Sequence, residues 1–134
     1  MNSNQFIVEQ ESPFDVQTTV DKIIEEAKRK DWQNPATHNL QQSLAKSGKE
    51  VRPVQVVEIC KPDFSGRMLD KNDERIFSVM MPCRISVYEK DDGKAYIALL
   101  DTSVMSAGMP EAVVDAMTSA SNESFEIVEK VIHP

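Results

Sequence analysis

The sequence predicts an α+β fold, an antiparallel sheet with helices on one face, and three observations predict it. Apolar residues recur at helical spacing over Val16, Val20, Ile23, Ile24 and Ala27, one stripe of an amphipathic helix. The segments Pro53 to Lys61, Cys83 to Glu89 and Ala95 to Leu100 alternate with the period of two that belongs to strands. After Pro110 the helical period returns, with Val113, Met117, Ala120, Ser124, Ile127, Val128 and Val131 sharing a face. Strands grouped between helices describe a layered α+β architecture of the order β-α-β-β-β-β-α. The chain's 134 residues suit one domain, 1–134, that buries enough surface to fold without staples.

The first strand is expected over Gln5 to Gln10. Ser12 then reads as a helix N-cap, with Pro13 at the first helical position, where its missing N–H costs nothing, and Asp15 in the first turn. The basic cluster Lys28, Arg29, Lys30 fits the last turn, where cations meet the negative end of the helix dipole. Asn34-Pro35 marks a turn, and Asn39 to Lys46 a short helix that stops near Gly48. In the strand that follows, alternation sets Val54, Val56, Glu58 and Cys60 on one face and Val57 and Ile59 on the other.

Asp63 to Lys71 reads as a second short helix, capped by Asp63 and turning Phe64, Met68 and Leu69 inward. Ile76 to Met81 reads as an extended run that Pro82 interrupts before the strand Cys83 to Glu89. Asp92-Gly93 predicts a type I′ hairpin turn, whose two central residues both need positive φ. Asn122 is expected to break the last helix into two.

The formal net charge is −7 and the pI about 4.8. An acidic surface repels phosphate backbones and anionic lipid, so no nucleic-acid or membrane-surface partner is expected. No apolar run approaches the ~20 residues of a membrane span. The start Met1-Asn2-Ser3-Asn4-Gln5 has no secretory signature, and two cysteines are too few for a secreted disulfide scaffold, so a cytoplasmic location is expected. Nucleophile elbow, phosphate loop, dinucleotide fingerprint and H-E-x-x-H motifs are absent, which leaves a hydrolase without support.

His38, Gly48 and Arg52-Pro53 ahead of the central strand, Lys61-Pro62 after it, Met81-Pro82, the strand Arg84 to Glu89 and the Asp92-Gly93 turn occur in an order that resembles the prokaryotic family called domain of unknown function 302. The resemblance runs from about Phe6 to Thr102 and implies a fold like that of the TATA-binding protein. It implies no activity and carries no DNA binding, since a shared fold is not a shared site. Many members have Gly-Asn-Pro where this chain has Cys60-Lys61-Pro62, and Leu-Pro-Leu where it has Met81-Pro82-Cys83, so it is similar to a cysteine-bearing branch.

Cys60 and Cys83 are the sharpest chemical feature, each beside a proline at a strand end. Should the ends meet, two thiols with His38, Met80 or Met81 would make a soft site suited to Cu(I), zinc or redox chemistry. The plain alternative is packing, since free cysteine is among the most buried residue types, and the spacing matches no zinc motif. His38 reads as a ligand, as a proton carrier or as a loop residue bonded to backbone. Glu58 interrupts an apolar strand face, so it marks either a pocket or a solvated edge; Arg84 is its partner only if the sheet curls. Met80, Met81, Met105, Met109 and Met117 suggest a methionine-lined groove or an oligomer interface, the latter favoured for Met105 and Met109.

The favoured functional expectation is a homodimeric, non-enzymatic binding module whose small apolar pocket lies near Glu58, Cys60, Pro62, Met81 and Cys83 and takes an unknown small ligand. The alternative is a thiol-based redox or copper/zinc protein using Cys60 and Cys83, with His38 as ligand or acid/base. It requires the two cysteine Cα atoms within about 7 Å for a disulfide.

Overall fold

The computed structural model describes residues 6–134. Five strands form one sheet: β1 (Ile7–Ser12), β2 (Thr37–Asn39), β3 (Val54–Ile59), β4 (Cys83–Glu89) and β5 (Ala95–Leu100). Their order is β1-β5-β4-β3-β2, and every neighbouring pair is antiparallel. The helices are α1 (Val16–Arg29), α2 (Leu40–Ala45), α3 (Pro62–Leu69), α4 (Thr102–Met105) and α5 (Glu111–Ile132), with a 3₁₀ segment over Asp73–Met80. The architecture is α+β, as the sequence predicts.

Alternation along the strands decides which face is covered. Val57 and Ile59 of β3, Ile85 and Val87 of β4, and Ala95, Ile97 and Leu99 of β5 are all buried. They meet Val16, Val20, Ile23 and Ala27 of α1 and Ile127, Val128 and Val131 of α5 in one core. Burial of this apolar surface is the main stabilising term, and the two amphipathic stripes exist to supply it. The opposite face lies away from α1 and α5: Arg84 is exposed, and Val54, Val56, Glu58, Ser86, Tyr88, Tyr96 and Ala98 are half-buried.

Several local expectations need correction. The expected first strand begins at Gln5, which lies outside the described residues; the observed one runs to Ser12, so Ser12 ends a strand instead of capping a helix. Asp15 takes the cap, its Oδ1 accepting from Thr18 N at 2.8 Å, while the buried Ser12 hydroxyl bonds Thr19 Oγ1 at 2.7 Å. The run Ile76 to Met81 is not extended. It closes the 3₁₀ segment with Ile76 and Val79 turned to solvent, and the missing strand is supplied by Thr37–Asn39, too short to show alternation.

The β4–β5 turn is not type I′. Gly93 N donates to Lys90 O at 3.0 Å, and of the central pair only Gly93 has positive φ (79°), the pattern of a type I turn followed by a left-handed residue. Asn122 does not interrupt α5, which runs unbroken for 22 residues because its buried stripe continues on both sides of that position.

Candidate functional site

A cleft opens where the ends of β3 and β4 meet α3, the 3₁₀ segment and α5. β3 stops at Ile59 because Pro62 cannot extend a ladder; Pro62 is instead the first residue of α3, where no N–H is required. Between them Cys60 forms an isolated bridge with Gln33, Gln33 N donating to Cys60 O at 2.7 Å and Cys60 N to Gln33 O at 2.9 Å. Cys60 is thus held by backbone pairing one residue beyond the end of β3. Its thiol, expected on the face of Glu58, lines the cleft and sits 3.7 Å from Ser65 Oγ of α3.

Cys83 opens β4 and is the cross-strand partner of Ile59, on the helix-covered face. Cys60 follows Ile59 directly, one residue from the position opposite Cys83. Both cysteines are free thiols and both line the same cleft. Burial, and secondarily the neighbouring Cys60, push the Cys83 thiol up to about 11. At neutral pH it is protonated, and a reactive thiolate is disfavoured there.

The remaining wall is apolar and rich in sulfur. Met68 comes from α3, Met80 and Met81 from the segment ahead of β4, and Met117 from α5. Phe64 stands edge-on to Trp32 with ring centroids 6.0 Å apart. The cleft holds about 50 Å³, room for a few water-sized groups. A second cavity of about 80 Å³ shares Met80, Pro82 and Cys83 with it and continues toward Leu99 and Ser124.

At the polar end Lys61 Nζ donates to Glu123 Oε1 and to Lys30 O, each at 2.9 Å, and the indole Nε1 of Trp32 donates to the same Glu123 oxygen at 2.9 Å. Burial works to raise the Glu123 carboxyl, but the bonds from Lys61 and Trp32 outweigh it and hold the group below its ordinary value. Trp32 is only 3% exposed, so this carboxylate fixes the orientation of a buried indole. Neither Lys61, Trp32, Glu123 nor Met68 stood out as a site residue in the sequence. The one signal was an acidic residue on the α5 side of an otherwise small and apolar stretch.

Of the residues expected in the pocket, Cys60, Met81 and Cys83 line the cleft, while Glu58 and Pro62 do not. Glu58 lies on the open face, where Oε2 meets His38 Nε2 at 2.9 Å and Arg84 Nη2 at 3.9 Å. No curling of the sheet is needed for the latter, because Glu58 and Arg84 are direct cross-strand partners. Nor does His38 join the thiols. It pairs opposite Val56, which directs it to the open face, and among the described residues no three His, Cys, Asp or Glu side chains are grouped to hold a metal. Met109 packs with Phe77, Met80 and Met81 against a second small core of Met68, Val113, Ala116 and Met117.

The open face has its own polar network. Tyr88 donates to Glu9, Lys90 Nζ reaches the other Glu9 oxygen at 3.0 Å, and Tyr88 stacks on Tyr96 at 6.3 Å. Burial and the Glu9 carboxylate raise the Tyr88 phenol. These groups satisfy one another and enclose no cavity with the cleft. Among the described residues no helix is long and apolar enough to cross a membrane.

The family described as Domain of unknown function DUF302 matches residues 8–132. No curated protein matches the chain. Among solved structures, the crystal structure of uncharacterized conserved protein DUF302 from Bacillus stearothermophilus is similar, with a TM-score of 0.84 at 16% identity, covering 96% of this chain and 99% of that one. At that identity the likeness speaks for the fold. The match across nearly the whole sequence, on a fold shared with a solved member, makes this chain a member of the DUF302 family.

Proposed function

We propose that this protein is a binding module that takes a small apolar molecule in the cleft between Cys60, Cys83 and the methionines of α3 and α5. The observation that carries the reading is the character of the wall: thioethers, thiols and aromatic rings converge there, while the one cation and the one carboxylate at its end neutralise each other. Such a surface binds by desolvation, with flexible methionines adjusting to the guest. The modest volume favours a short alkyl or acyl segment over a large cofactor.

Trp32 is the single tryptophan and belongs to the wall, so its emission reports occupancy directly. Titration with hexan-1-ol should shift that emission saturably, and Ala116→Leu, which fills the cleft, should abolish the shift. An unsaturable response, or one equal in both proteins, sinks the reading.

A homodimer is part of the proposal. Half-buried Val54, Val56 and Ala98 with the more exposed Leu100 lie on the sheet face away from α1 and α5, and two-layer folds bury such faces against a partner. Sedimentation equilibrium yielding a monomer at micromolar concentration would remove it.

A thiol-based redox function is the second reading, favoured by two free thiols that line one cleft, with Cys60 following the residue paired to Cys83. The high Cys83 value works against it, because thiol exchange proceeds through the thiolate. Mass spectrometry after mild oxidation decides: loss of two hydrogens per chain with Cys60 joined to Cys83 favours it, and two independently alkylated thiols exclude it.

A further inference from the structure

We propose that the same cleft is a site for a monovalent soft metal cation of the Cu(I) or Ag(I) type, held by the sulfurs of Cys60 and Cys83 with a methionine thioether as third donor. This inference rests on the reading above only in that the cleft must admit a guest. Its own support is the donor set. Two thiols and the thioethers of Met68, Met80, Met81 and Met117 line one cavity, and no carboxylate or imidazole of the described residues joins them there.

Hard cations such as Ca²⁺ and Mg²⁺ favour carboxylate oxygens, and among the described residues no carboxylate lines the wall. A structural zinc site requires four nitrogen, oxygen or thiolate donors, and no group of even three His, Cys, Asp or Glu side chains exists among the described residues. Thiolate and thioether donors at low coordination number select a soft, filled-shell, monovalent ion. This donor set suits neither zinc nor a His38 ligand, since His38 is on the open face with Glu58.

Position agrees with chemistry. The register that sets Ile59 opposite Cys83 leaves Cys60 one step away, and both cysteines line one cavity. Methionine has three rotatable bonds and a polarizable sulfur, which suits the methionines lining the cavity to supply the third donor. A volume of about 50 Å³ suits an ion that enters without its hydration shell. On binding, each thiol releases one proton to solvent. The resulting complex of two thiolates and one cation carries one negative charge.

The test is titration of the reduced, full-length protein with silver(I) under anaerobic conditions, a redox-inert probe, read by native mass spectrometry and Trp32 emission. One ion per chain is expected, with Cys60→Ser and Cys83→Ser each weakening binding beyond the about 10- to 100-fold that outer-shell partners of metal ligands are worth. Cys60→Ala and Cys83→Ala serve in place of any serine variant that fails to fold. Two ions per chain, each lost with one cysteine, would overturn the shared site, as would equal binding by wild type and either variant. The two readings fail separately. Silver failing while hexan-1-ol still binds removes only the metal site, and loss of hexan-1-ol binding removes the cleft itself.

Discussion

Replacing Glu123 with alanine isolates the polar anchor of the cleft. The substitution leaves the Trp32 indole N–H, 3% exposed as a residue, without an acceptor, and strips Lys61 of its carboxylate. A buried donor left unpaired costs about 1–3 kcal/mol. Lys61 keeps its bond to Lys30 O, so its loss is smaller, about 1 kcal/mol. The sum, about 2–4 kcal/mol, lowers Tm by roughly 6–15 °C for a chain of this size.

Glu123→Gln restores an acceptor for the indole while removing the charge, and should recover about half of that loss. The pH dependence follows with a definite sign. The Glu123 carboxyl titrates below its ordinary 4.5 in the folded protein, so its stabilisation is present above about 4.5 and is lost as pH falls through the lower folded value. Urea denaturation of wild type and both variants between pH 3 and pH 7 reads all of this, since the stability gap between wild type and Glu123→Gln should shrink toward acid. A Glu123→Ala protein within about 0.5 kcal/mol of wild type at pH 7 would refute the anchor, because such a change is typical of an ordinary surface site.

Three further outcomes are expected. In Cys60→Ser, iodoacetamide should label Cys83 slowly at neutral pH and faster as pH approaches about 11; rapid labelling at pH 7 would mean an open, ionisable thiol. Ile59→Ala, at a side chain with no exposure beneath the cleft floor, should lose about 2–5 kcal/mol in urea unfolding. Gly93→Ala, at φ 79° with nothing near its added methyl, should cost about 1 kcal/mol through backbone strain alone, and an unchanged urea midpoint would deny the left-handed turn.

What the sequence made legible was periodicity. β4 and β5 lie at the expected residues, and every residue of the stripe assigned to the last helix is buried, because burial on one face imprints its period directly on composition. Short and irregular elements left no such imprint. Thr37–Asn39 is held by pairing to β3 and not by its own pattern, while Ile76 and Val79 look like strand residues yet stand exposed on a 3₁₀ segment.

The site was half legible for the same reason. Proline beside cysteine marked both strand ends correctly. Alternation, however, has no force beyond the last ladder residue, so the face of Cys60 could not follow from the face of Glu58. The partnership of Lys61 with Glu123 joins positions 62 residues apart, a contact that only the docking of α5 on α3 creates. The side of Arg84 was a matter of register, which a single sequence does not state.

The most direct measurement is the methyl spectrum of protein labelled with ¹³C-methyl methionine, recorded while hexan-1-ol is added. A guest in the cleft should move the signals of Met68, Met80, Met81 and Met117 together along one saturable curve and leave Met105, which lies outside that wall, in place. Should the four cleft methyls stay still, or Met105 move as far as they do, the cleft is a packing seam and the binding account is wrong.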